Sequence, residues 1–337
     1  MSLSSLNYPP LVSLAGIGLG ASFPFLEKLA KESPWIVVRL ATAISYGINV
    51  VAVSRPGRMD GEAVGDGELS TRRGKTLVAP SGWAFAIWGP IFLGELISVT
   101  APFLIKESSS PMLVALLRET AGPFVAAQLF QTLWCAAFRP KYKGAAGFIN
   151  TGLLSATAYS LSRAHAIFVA QPQLYSNLNH AILFLPMSLH FGWTVAASLV
   201  SLNGAISMQE NSSKRLIAYA GHISVVAATG LGIFITVTRS APVFGGVIAW
   251  ALTAVADGMK QRLAAACEEE GEGESDRKPI IRKKKFEKIN KAIINTDGVE
   301  TQLLLSRIGA AMNGVAVAFI AGTMALGIST GKSTPVP

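Results

Sequence analysis

Apolar residues in this chain gather into long runs divided by short polar segments. Runs near the ~20 residues that a bilayer core requires predict membrane-spanning helices. In chain order the first four are Trp35 to Val53, Pro80 to Ile105, Ala121 to Phe138, and Ala145 to Leu161 with an extension towards Val169. The next four are Ala181 to Ile206, Leu216 to Thr238, Val243 to Val255, and Leu303 to Ile328. The fourth and seventh are short for a bilayer, and an amphipathic Pro111 to Glu119 precedes the third. Leu11 to Ser22 is apolar but brief, with no Lys or Arg before it, so it fits a signal peptide poorly and reads as an interfacial or re-entrant piece. The fold class expected is all-α, a polytopic transmembrane bundle of about eight spans. Its organisation is an N-terminal interfacial segment (1–34), a seven-span membrane domain (35–258), a charged loop (259–302) and an eighth transmembrane helix (303–328).

Composition agrees. Half of the 337 residues are apolar, only 15% are charged and the mean hydropathy is +0.43, against roughly 25% charge in a soluble domain. The net charge of +9 invites a nucleic-acid reading, but its distribution favours the membrane. If eight spans alternate sides, the loops after spans one, three, five and seven carry 20 Lys and Arg, and the termini and remaining loops carry 7. Such an imbalance places the richer loops on the cytosolic side or its topological equivalent. Two stretches are solvated: Ser54 to Leu77, with nine charges and five glycines, and the run from Ala256 to Gln302. The latter passes from an acidic, low-complexity Glu268 to Asp276 into a basic Arg282 to Ile293, either an interfacial helix on an anionic leaflet or a plain charge run. Cys135 lies in an apolar run and Cys267 in the charged loop, so neither a disulfide framework nor a metal site is indicated.

The densest chemistry is Pro80 to Gly94. It carries Trp83, Phe85 and Trp88 within six residues, among small residues that let neighbouring backbones approach. An aromatic-lined cavity within the bundle is one reading, and an interfacial aromatic belt is the other. Trp88, Trp193 and Trp250 lie about eight to thirteen residues into their spans, so at ~1.5 Å per residue all three reach mid-membrane and can line one cavity. Glu95 is the single charge of its run, either a functional group or a paired structural carboxyl. Arg39 falls on the same half of the membrane; it either snorkels to the interface or pairs or shares a pocket with Glu95. His190, one turn from Trp193, could bond a ligand, ligate a metalloporphyrin or simply satisfy a carbonyl. No nucleophile elbow, zinc pair, phosphate loop or carboxylate dyad is present, so no catalytic or metal residue is nominated.

The stretch Ala79-Pro80-Ser81-Gly82-Trp83-Ala84-Phe85-Ala86-Ile87-Trp88-Gly89 resembles the helix-two signature of the tryptophan-rich sensory protein group, distant relatives of the TspO/MBR translocator proteins. Leu185-Pro186-Met187-Ser188 with Gly192-Trp193 resembles that group's second motif, and Asn203 stands where the group often has Asn. Leu133-Trp134 and Ala249-Trp250-Ala251 are weaker matches. Trp83 and Trp88 are five apart, whereas translocator proteins proper space these Trp six apart. The resemblance implies a TspO-like core that binds tetrapyrroles, sterol-like molecules or other planar lipophiles in its helix bundle. With the residues above, it nominates Trp83, Phe85, Trp88, Glu95, Trp134, His190, Trp193, Asn203 and Trp250 as a binding site, for a porphyrin or another planar lipophile such as a carotenoid.

Three function classes follow. The first is binding or transport of such a ligand, with membrane lipids and a hydrophobic small molecule as partners. The second is a structural or assembly subunit that docks membrane proteins through the 259–302 loop and the eighth span. The third is an enzyme acting on a lipophile. Gly20-Ala21-Ser22-Phe23-Pro24 faintly resembles an algal plastid presequence cleavage region, without a Ser- and Arg-rich transit segment, so plastid and other endomembranes stay open.

Overall fold

A computed structural model of the chain describes residues 6–54, 76–139, 141–171, 177–272 and 298–326. Among these residues regular structure is entirely helical. Most of the solvated stretch from Ser54 to Leu77 and the basic cluster from Arg282 to Ile293 lie outside the described residues.

The chain opens with two helices, α1 (Pro9–Ala21) and α2 (Phe23–Glu32), bent by 50° and reaching the apolar length of a span only together. Pro24 lies in the first turn of α2, where its missing N–H and its ring prevent α1 from simply continuing. α3 (Trp35–Ser54) follows, and later α5 (Pro111–Ala137). The N-terminal piece is part of the bundle, because α2 crosses α5 at Gly122, where a Cβ would lie 2.7 Å from the Leu26 carbonyl oxygen. Asn7 adds a tether, donating to the Ala136 carbonyl at 2.8 Å and accepting from the Tyr142 hydroxyl at 2.6 Å.

Span two is not one α-helix. Gly82–Ile87 winds as a 3₁₀ turn, α4 runs from Trp88 to Thr100, and Ala101–Leu104 closes as a second 3₁₀ turn. Pro90 disfavours an α-helical bond to the carbonyl of Ala86, so the tighter winding precedes it.

Span four is α6 (Gly147–Val169), a complete 23-residue helix lying between α5 and α7 (Leu185–Ser207). It is not among the seven helices apolar enough to cross a membrane alone. Asn150, Thr157, Ser160 and His165 are buried on it, so its polar residues face neighbouring helices, and the run looks weak by composition. The last helices are α8 (Lys214–Thr238), α9 (Pro242–Glu272) and α10 (Val299–Ala325). α9 extends well beyond Val255, where the apolar run ends, and carries the acidic Glu268 to Glu270 on a helical backbone.

Small residues set the closest contacts. A Cβ on Gly192 of α7 would fall 2.8 Å from Val247 of α9, and one on Gly94 of α4 would fall 2.6 Å from the Pro186 ring. α10 fits against α8 and α9 in the same way, with Asn313 over Gly232 and Gly309 over Thr229. Gln302 donates to the Gly221 carbonyl at 3.2 Å and pairs with His222 at 2.6 Å. The eighth span therefore buries one face in its own bundle, while Leu304, Ile308, Val315 and Phe319 remain exposed on the other.

Candidate functional site

One cavity in the bundle has a volume of about 460 Å³, within the range of small-molecule sites. Its aromatic wall comes from three of the spans. The 3₁₀ turn and start of α4 supply Phe85 and Trp88, the end of α5 supplies Trp134 and, just past it, Phe138, and α7 supplies Trp193. Trp193 meets Phe85 edge-on at 5.7 Å and Trp88 edge-on at 6.1 Å, so these rings present perpendicular faces to one space. Thr76, Ser201 and Ser224 bring hydroxyls, and no described lining residue is charged. Trp193 is almost fully buried and its indole N–H has no hydrogen-bond partner among the described residues.

The nominated residues divide into three groups. Phe85, Trp88, Trp134 and Trp193 line the cavity. Trp83 and Trp250 do not; they pack edge-on against each other at 4.6 Å, each partly exposed. The expectation that Trp250 shares one cavity with Trp88 and Trp193 is therefore corrected. Its neighbour Ala251 faces the cavity, while the Trp250 indole turns away and donates to the Ala84 carbonyl at 3.2 Å. Asn203 lies behind the wall, donating to Ser224 Oγ at 2.7 Å.

Glu95 and His190 form the third group, fully buried and joined at 2.6 Å between Glu95 Oε1 and His190 Nδ1. Gln128 of α5 donates to Glu95 Oε2 at 3.1 Å, and Asn49 of α3 donates to Gln128 at 2.6 Å and to Gln131 at 3.0 Å. Four helices thus meet in one polar cluster. Arg39 does not pair with Glu95. Its guanidinium lies over Trp35 and Phe103 and donates to the carbonyls of Pro102 and Phe103 at 3.4 and 3.3 Å. The two share only a second, small cavity of about 60 Å³. Trp88 links the groups, because its ring meets that of His190 edge-on at 5.7 Å.

Sequence reading did not find Asp257. This carboxylate on α9 accepts from Ser81 Oγ at 2.7 Å, Trp83 Nε1 at 3.0 Å and Gln261 Nε2 at 2.9 Å. The Ser81 amide donates to the Ala254 carbonyl at 2.9 Å, and Gly258 lets the Ala79 carbonyl within 2.5 Å of where a Cβ would stand. Half of the Pro80 motif is thus a fastening to α9, and the other half walls the cavity. The signal available was a lone carboxylate two residues beyond an apolar run.

These features define a class: a multi-pass helical membrane protein whose helices line an aromatic-walled cavity. Within that class, a family model described as TSPO-like protein matches residues 35–266, more than half of the chain, and the chain belongs to the TSPO-like family. No curated protein and no solved structure matches it.

Proposed function

We propose that the protein binds a flat, largely apolar small molecule in the 460 Å³ cavity, with Trp88, Trp134 and Trp193 as the stacking surfaces. The observation that carries this reading is the convergence of three indoles and two phenyl rings from separate elements on one uncharged space among the described residues. Planar lipophiles stack on aromatic faces, and each such contact contributes on the order of 0.5 to 1.5 kcal/mol beyond area burial. The wall hydroxyls and the free Trp193 N–H would orient a ligand through a carbonyl or hydroxyl group. Tetrapyrroles, carotenoids and sterol-like molecules all fit that description. Membrane lipids are the natural neighbours of the exposed apolar faces.

Titration of the purified protein with protoporphyrin tests the reading. Indole emission should be quenched saturably, and Trp88→Leu or Trp193→Leu should weaken affinity by about 3- to 10-fold, the equivalent of one stacking contact. Trp250→Leu should leave affinity unchanged. Equal affinity in all three variants would place the ligand elsewhere.

A further inference from the structure

The polar cluster carries a second reading, independent of any ligand in the aromatic cavity. Glu95 has both oxygens engaged, with Gln128 Nε2 and with His190 Nδ1. A ring that donates from Nδ1 to a carboxylate keeps its lone pair on Nε2. That Nε2 atom is buried and has no hydrogen-bond partner among the described residues. An unused basic nitrogen backed by a carboxylate, with both residues wholly buried between apolar helices, is costly to maintain for packing alone.

We propose that Glu95 and His190 form an intramembrane proton-binding site, sensed by the aromatic cavity through Trp88. A proton taken up at Nε2 converts a carboxylate with a neutral imidazole into a carboxylate–imidazolium pair, changing the cluster from net −1 to net zero without breaking either bond to Glu95. The 60 Å³ cavity, whose described lining includes Glu95 and the half-buried Arg39 but not His190, adjoins the carboxylate side of the pair. At roughly 10 to 15 Å³ of such volume per water it has room for a short water chain. On the other side, the ring in edge-on contact with His190 is the same Trp88 that walls the large cavity. Charge on His190 therefore acts directly on that wall, and by linkage a ligand stacked on Trp88 alters proton affinity by the same factor.

Other titratable groups are accounted for by element. α3 offers Arg39 and Tyr46, whose hydroxyl donates to the Phe92 carbonyl at 2.7 Å. α5 faces the pair with the neutral Gln128. On α6, His165 packs against Phe184 and Phe191 and lies 3.5 Å from Arg239, which follows α8. α9 carries Asp257 at the far motif. None of these bonds to either member of the pair.

The test is a pH titration of indole emission from the full chain in lipid nanodiscs, read beside an infrared difference spectrum of protein with ¹³C-labelled Glu. The emission transition should vanish in His190→Gln, lose most of its amplitude in Trp88→Phe, and move by about one pH unit or more in Glu95→Gln. Glu95→Asp, which keeps the carboxylate, should retain a transition. In wild type, the carboxylate bands should change with the same midpoint as the emission, a readout that needs no variant to fold. A transition that survives His190→Gln, a midpoint indifferent to Glu95→Gln, or carboxylate bands that do not follow the emission would each overturn the proposal.

Discussion

Trp83 and Trp88 sit five residues apart in one motif and serve different purposes. Trp88 faces the large cavity and stacks on Phe92 at 5.1 Å, whereas Trp83 hands its N–H to Asp257. The sequence showed that both were unusual but not which way either pointed, because depth along a span is set by counting and azimuth is set by packing. The same limit left Arg39 and Glu95 as either a pair or two groups in one pocket. They lie on the same half of the membrane and share only the small cavity, because α3 turns Arg39 towards the carbonyls that end span two, and Glu95 turns to α7 and α5. Glu95 was legible as a buried carboxyl in need of a partner, since it is the lone charge of its run. His190 was legible only as one of several alternatives, and its pairing required the fold. At this scale the fastening role of Asp257 is testable. Asp257→Ala should red-shift Trp83 emission as its indole loses its partner, and lower the melting temperature, both monitored in one thermal scan. Unchanged emission would show that Asp257 does not hold the motif.

Among elements, the motif residues that carry the family resemblance are largely contact points between helices. Gly192 admits Val247, and Gly94 admits the ring of Pro186, so the second motif joins α7 to both α9 and α4. In a bilayer, where apolar side chains gain little by leaving lipid, such close approach is a main source of helix association. Gly192→Ala should cost about 1 to 3 kcal/mol by forcing a Cβ into Val247, seen as a shift in denaturant midpoint, while Gly246→Ala, where a Cβ meets nothing, should be near neutral. Equal effects would mean that the α7 to α9 contact is not tight. Helix ends were less legible than helix positions. α9 overruns the apolar boundary at Val255 because Asp257 and Gly258 have partners in the Pro80 motif, which composition alone does not reveal.

At the scale of the molecule, the eight expected spans are all present as helices, seven apolar enough to stand alone and α6 packed between α5 and α7. Hydropathy finds helices by the lipid they face, so a helix that turns Asn150, Thr157, Ser160 and His165 to its neighbours and leaves only an edge with Phe148 and Tyr159 exposed reads weakly. Gly204 of α7 lies in the wall of the aromatic cavity, with open space where a Cβ would be. That position separates occupancy from folding. Gly204→Leu projects a side chain into the cavity and replaces a helical glycine, a change that favours the helix by up to about 1 kcal/mol. The measurement that tests the central claim most directly is protoporphyrin affinity of Gly204→Leu, determined beside its melting temperature. An aromatic cavity that holds the ligand predicts at least 10-fold weaker binding with stability kept or raised. Wild-type affinity in a stably folded Gly204→Leu protein would contradict it.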